Sequence, residues 1–371
     1  MLVLATALAL VWMQAADPSE AGLKALEEGK HAEAAAFFEK AVAADPKDYA
    51  AHFHLALANS LLGKTEEAIS GYRTVLSLKP GLYEAELNLG MVLLRAGKGE
   101  EAIEPLESAL EKKPADARAN LYLAEALEAA GALAKSEAYY RAAAGADPAL
   151  REGLLKLAAA FEAQGNLAKA VDLYLEFPGN VGARERAGVL LLEAGKAEEA
   201  VPHLEWAVSK SPTAANRAAL AAAYQKTGNL EKAEGQLAAA VAAAPDDADL
   251  RLRYGRVLRD QKKYQPAAAE FYRVTLARPA SLDGWNELAG MLILLESYPQ
   301  ALAALDRIRQ MGGESPSHLY LRAIMLDKMN QFKAALENYQ RFLALSGGKF
   351  PDEEFKARQR VRILEKETGK R

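Results

Sequence analysis

The side chains best suited to chemistry in this 371-residue sequence are five histidines, several paired carboxylates and one run of arginines. The histidines, His31, His52, His54, His203 and His318, are scattered, and His52 and His54 stand two apart. Residues two apart on a helix do not share a face, whereas helical metal ligands need spacings of three or four, so no metal is expected. No glycine-rich phosphate loop, nucleophile elbow or zinc-protease helix occurs. Neither a catalytic residue nor a cofactor is expected, and no small-molecule substrate. The acidic pairs Glu66-Glu67, Glu100-Glu101 and Glu198-Glu199 fall at helix starts, where favourable charge at the helix N-terminus accounts for them. The absence of cysteine excludes disulfides, thiolate metal sites, a cysteine nucleophile and a lipidated N-terminal cysteine.

The arginines are the more pointed feature. The run DLRLRYGRVLRDQKK, residues 249–263, sets Arg253, Arg256 and Arg259 three apart on one helical face, with Lys226 near by in the preceding unit. Three guanidiniums along one wall suit the carboxylates of an acidic segment or a chain terminus. The competing use is internal, with Asp249 to Arg253 and Arg256 to Asp260 as pairs four apart on a solvated face.

What positions these residues is a repeat. The stretch from Tyr83 to Asp116 holds two apolar stripes: Leu87, Leu89, Gly90, Val92, Leu93 and Leu94 before Gly97, then Ala102, Ile103, Leu106, Ala109 and Leu110 before Pro114. Apolar residues three and four apart mean two helices, each with one buried face. Gly97 suits a left-handed helix end, and Pro114 cannot continue the second helix. The unit recurs every 34 residues. With Tyr83 as position 1, position 32 falls on Pro46, Pro80, Pro114 and Pro148 and later on Pro212, Pro245 and Pro279. Position 8 is always small (Gly22, Ala56, Gly90 through Gly255 and Ala323), as is position 20 (Ala34, Ala68, Ala102 through Ala335). Position 24 is always large: Phe38, Tyr72, Leu106, Tyr140, Tyr174, Leu204, Leu237, Phe271, Leu305 and Tyr339. Small residues at 8 and 20 let the helix axes approach closely, and the residue at 24 is expected to fill the space between neighbouring pairs.

At these residues the chain resembles the tetratricopeptide repeat family, whose period is 34 residues. The resemblance covers Asp17 to Leu345 as ten units and implies an all-α fold: a right-handed α-solenoid, or superhelix, of helix-turn-helix units. The family's tryptophan at position 4 occurs only as Trp285 and its tyrosine at 11 only as Tyr224, sites expected merely to need bulk. The fifth unit, Arg151 to Asn180, is short, making Pro178-Gly179-Asn180 the expected hinge. Glycine at position 15 gives way to Lys262, Glu296 and Asn330, so the last three turns are expected to differ in shape from the first seven. Residues 17–349 thus form the solenoid. Residues 350–371 follow as a capping helix and tail, with Ala357, Val361 and Leu364 on its inner face.

The resemblance also implies a function. In the family, first-helix positions 2, 5, 6, 9, 12 and 13 face a bound peptide; here they include Phe53, Leu57, Leu61, Leu87, Met91 and Leu94, then Arg253, Arg256 and Arg259. Of the family's clamp for C-terminal carboxylates only Asn88 and Arg118 are matched, in isolation. The expected role is a non-catalytic scaffold for a protein or peptide. Forty-six basic against 50 acidic residues, a net charge of -4, argue against a phosphate-backbone binder. A nucleic-acid-binding helical repeat would need a basic groove, and a glycan-associated envelope protein clustered acids or aromatics; Phe53, Tyr122 and Tyr320 are dispersed. Residues 1–16 carry the apolar run Leu2 to Trp12 and read as a secretory signal peptide cut after Ala15 or Ala16, or as an N-terminal membrane anchor. A bacterial periplasmic or otherwise exported location follows, with a spare shielding helix in a cytoplasmic protein as the alternative.

Overall fold

The computed structural model describes residues 17–369, as two units that meet between Glu176 and Phe177. The leader expected over residues 1–16 lies outside the described residues. Among those described, no helix is long and apolar enough to cross a membrane.

In the first unit, five hairpins follow one another. They are α1 (Pro18–Glu27) with α2 (His31–Ala44), α3 (Tyr49–Leu61) with α4 (Thr65–Leu78), α5 (Tyr83–Arg95) with α6 (Gly99–Lys112), and α7 (Ala117–Ala129) with α8 (Leu133–Ala146). A 3₁₀ turn at Pro148–Glu152 leads into α9 (Gly153–Ala163) and the nine-residue α10 (Leu167–Leu175) of the short fifth repeat. The second unit holds α11 (Val181–Glu193) with α12 (Ala197–Lys210), α13 (Ala214–Lys226) with α14 (Leu230–Ala243), and α15 (Ala248–Asp260) with α16 (Tyr264–Ala277). It continues with α17 (Leu282–Leu294) and α18 (Tyr298–Gln310), then α19 (Pro316–Lys328) and α20 (Phe332–Ser346), and closes on α21 (Pro351–Thr368). Within each unit successive helices pack on one another, so each unit is an α-solenoid of five hairpins, the second with a closing helix.

Local chemistry sets the ends. First helices start on side-chain caps: Asp48, Asp116, Asn180, Thr213, Asp247 and Ser281 each accept a backbone N–H of the first turn. They stop at a left-handed residue; in repeat three Gly97 has φ 73°, and the Lys98 N–H returns to Leu93 O. The last turns do not differ as expected. Lys262, Glu296 and Asn330 take φ of 62°, 57° and 59°, and the Lys263 N–H returns to Leu258 O just as in the glycine turns. Packing of the helices on both sides holds these side chains in a conformation that costs about 1 kcal/mol each. Prolines 105 and 202 sit within α6 and α12 without ending either helix.

The core follows from the pairing of positions 8 and 24. A Cβ on Gly90 would lie 2.4 Å from Leu106; on Gly188, 2.6 Å from Leu204; on Gly255, 2.5 Å from Phe271. The large residue therefore sits against the small one of its own hairpin, and it also reaches the next pair: Phe38 stacks on His54 of repeat two, and a Cβ on Gly153 of repeat five would lie 2.6 Å from Tyr140. Where position 8 is alanine, several partners are tyrosines, and two of their hydroxyls reach position 12: Tyr174 donates to Glu162 at 3.2 Å, and Tyr140 donates to Glu128. At the end of the chain, Ala357 and Leu364 of α21 are fully buried against α19 and α20, with Val361 partly buried beside them. Buried Glu354 accepts the Gly348 N–H at 2.8 Å, and Arg360 pairs with Asp327 at 2.6 Å.

Candidate protein-interaction surfaces

The first-helix face of repeats two to four is apolar and partly open. Phe53, Met91, Leu94 and Tyr122 are partly buried on the flank of the core that α3, α5 and α7 share, and Leu61 remains 51% exposed. Leu87 does not belong to this face: at 7% exposure it is a core residue. Asn88 is half-buried on α5, and Arg118 is exposed at the start of α7, beside the cap Asp116.

In repeat eight the three arginines part company. Arg253 is exposed. Arg256 donates to Glu287 at 2.7 Å and pairs with Asp283 at 3.3 Å, while Arg259 donates to Glu287 at 2.6 Å and also holds Asp260. Glu287 and Asp283 lie on α17, the first helix of repeat nine, and the Glu287 side chain is only 14% exposed. Among the described residues neither pair four apart forms: Asp249 is held by Arg278 at 2.6 Å and Asp260 by Arg259 at 2.9 Å. That bond holds the Asp249 carboxyl below the usual carboxylate range. Two of the three guanidiniums thus hold repeat eight to repeat nine rather than facing solvent unpaired. Lys226 is exposed at the end of α13, and no contact joins it to these arginines among the described residues.

Position 4 has a role that bulk does not describe. His52 Nε2 lies 3.1 Å from Pro46 O, Asn120 donates to Pro114 O at 2.9 Å, Arg251 to Pro245 O at 2.8 Å and Trp285 to Pro279 O at 2.9 Å. Four different side chains satisfy the same carbonyl, that of the proline six residues earlier, and so fasten four of the interrepeat loops. The signal was partly readable: a donor-bearing side chain stands six residues after four of the seven position-32 prolines, but Glu86, Leu154 and Ala218 follow the other three.

The histidines occupy unrelated places. His54 stacks on Phe38 with centroids 5.2 Å apart, and His318 caps α19 by accepting the Ser315 N–H at 3.1 Å. No group of three metal-ligating side chains gathers among the described residues.

A cleft of about 520 Å³ opens on the second-helix side of repeats eight and nine, a feature the sequence analysis did not single out. It is floored by Trp285, Leu288 and Leu292 of α17 and walled by Ala268, Ala269 and Tyr272 of α16 and by Ala303, Ala304 and Arg307 of α18. Gln265 and Gln300 stand at its edge.

Family profiles described as tetratricopeptide repeats match residues 25–85, 87–150, 152–180 and 191–256. No curated protein sequence matches the chain. Among solved structures, a chain of the Naa15/Naa10 complex bound to HypK-THB is similar over 94% of this chain and 67% of its own, at 15% identity and a TM-score of 0.52. A crystal structure of MamA is similar over 41% of this chain and 89% of its own, at 22% identity and a TM-score of 0.39. The likeness to the Naa15/Naa10 chain speaks to fold alone, not to shared partners. With ten packed hairpins, the 34-residue period and the profile matches in accord, the chain belongs to the tetratricopeptide repeat family.

Proposed function

We propose that this chain is a non-catalytic scaffold that holds a protein or peptide segment against the first helices of its repeats, in the envelope of a bacterial cell after export. The observation that carries the reading is the partly open apolar face of α3, α5 and α7, with Leu61, Met91, Leu94 and Tyr122 spread along adjacent helices. An exposed apolar strip on a regular repeat is where a partner's apolar side chains gain most from leaving water. Family membership supports protein binding as the general role. Arg253 and Lys226, both exposed, are candidate contacts for acidic groups on the partner, and the half-buried Asn88 and exposed Arg118 for polar ones. The export half of the reading rests on the apolar run Leu2 to Trp12 alone.

Capture of partners from an envelope fraction tests the first half, comparing the native chain with a Met91→Glu/Leu94→Glu variant of unchanged helicity. Loss of the captured protein is expected, and equal capture rejects this face. N-terminal sequencing of the mature chain tests the second, with a start after Ala15 or Ala16 expected and a start at Met1 or Leu2 contradicting cleavage.

A further inference from the structure

The ten repeats serve as controls for one another, and they single out the cleft between α16 and α18. Elsewhere positions 18 and 19, at the start of second helices, commonly carry charge, as in Glu66-Glu67, Glu100-Glu101 and Glu198-Glu199. In repeats eight and nine they are Gln265-Pro266 and Pro299-Gln300, all neutral. Position 25 is outward-facing Glu39, Arg73, Glu107, Arg141 and Glu205 in five of the seven earlier repeats, Leu175 and Ala238 in the other two, Tyr272 in repeat eight and Asp306 in repeat nine. Tyr272 is 53% exposed and Leu276, one turn further, 61% exposed. Charge has been withdrawn from the start of both second helices that border one cleft, and on α16 exposed apolar surface stands beside it, a combination that soluble surfaces ordinarily avoid.

One cation remains. The Arg307 guanidinium lies 5.9 Å from the centre of the Trp285 ring and bonds the neutral Gln310 at 2.9 Å; it pairs with no carboxylate among the described residues. Its neighbours in sequence behave otherwise, since Arg309 pairs with Asp306 at 3.2 Å and Arg322 with Asp306 at 2.9 Å. The indole itself is fixed by its bond to Pro279 O. A volume of about 520 Å³ lies within the range of ligand sites, roughly 300–1,000 Å³. The two glutamines at the edge present both donors and acceptors, which match peptide groups rather than an acyl chain.

We propose that this cleft is a second docking site, separate from the first-helix face, for a segment of a partner protein that inserts apolar side chains over Trp285 and sets an adjacent carboxylate on Arg307. The apolar side chains supply most of the binding free energy, and the carboxylate fixes the register and orientation of the segment.

Selection of random dodecapeptides displayed on phage against the immobilised full chain tests this, followed by fluorescence anisotropy with the enriched peptides. Enriched sequences are expected to combine aromatic or aliphatic residues with an Asp or Glu. Their binding should weaken about tenfold or more with Tyr272→Glu, while Met91→Glu/Leu94→Glu leaves it unchanged. Arg307→Glu should shift the selected sequences from acidic to basic. Circular dichroism confirms that the variants, all at exposed or partly exposed positions, stay folded. Peptides that carry no acid, peptides indifferent to Tyr272 and Arg307, or no enrichment at all would overturn the proposal. A concentration-dependent dimer abolished by Tyr272→Glu would overturn it in favour of a second copy of the chain.

Discussion

Arg259 of repeat eight donates to Glu287 of repeat nine at 2.6 Å, and Arg256 holds the other oxygen of the same carboxylate at 2.7 Å. A largely buried acid with two cations is a structural clamp first. Arg256→Ala and Arg259→Ala together should destabilise the second unit by about 1–2 kcal/mol, a value reduced for the partial exposure of both guanidiniums. Arg253→Ala should stay within about 0.5 kcal/mol. Urea unfolding checks both, and any loss of partner binding is interpretable as contact loss only for Arg253.

The fit of Gly90 against Leu106 makes the hairpin core intolerant of one added methyl. Gly90→Ala should cost about 1–3 kcal/mol, because Leu106 is fully buried and has little room to retreat. Gly90→Ala combined with Leu106→Val should recover part of that loss. Strictly additive costs in a double-mutant cycle would contradict the contact.

Lys262 and Glu296 hold left-handed turns in which glycine is at ease. Lys262→Gly and Glu296→Gly should each stabilise by about 0.5–1 kcal/mol, the relief of strain exceeding the added freedom of the unfolded chain. Chemical denaturation at constant m-value measures the gain; a loss would show that these turns are unstrained.

Burial lowers the proton affinity of His54, whose Nδ1 has no hydrogen-bond partner among the described residues. Burial and the nearby Arg184 do the same for His203, and burial outweighs Glu314 at His318. The unfolded chain therefore binds more protons than the folded one just below the ordinary histidine value of 6.5. Stability is complete above that value and is lost as pH falls through it and below. The unfolding midpoint should drop between about pH 7.5 and pH 5.5, and His54→Phe should shallow the slope; an unchanged slope would contradict the burial argument for His54.

Much of the fold was legible because each repeat states the same pattern independently. Small residues at Gly90 and Gly255 and large ones at Leu106 and Phe271 announce close helix pairs before any coordinates. Spacing alone could not tell that position 24 packs within its hairpin as well as between hairpins, since both place it inside. Nor did local propensity predict Lys262 and Glu296, because tertiary packing outweighs a penalty of about 1 kcal/mol. Among candidate site residues, Arg256 and Arg259 found their acids on the next repeat, a pairing at a separation of about thirty residues that the helical rule of three and four does not reach. The cleft at Trp285 was signalled by neutral Gln265-Pro266 and Pro299-Gln300 where acidic pairs recur, a departure seen only by comparing repeats with one another.

The central claim, that first-helix faces grip another protein, is tested most directly by site-specific photocrosslinking in native cells. A benzophenone side chain placed at Leu57, Met91 or Leu94 should form a covalent adduct with a protein partner, whereas the same group at exposed Glu107 or Glu111 of α6 should form none. Adducts arising equally from both sets, or from neither, would contradict it.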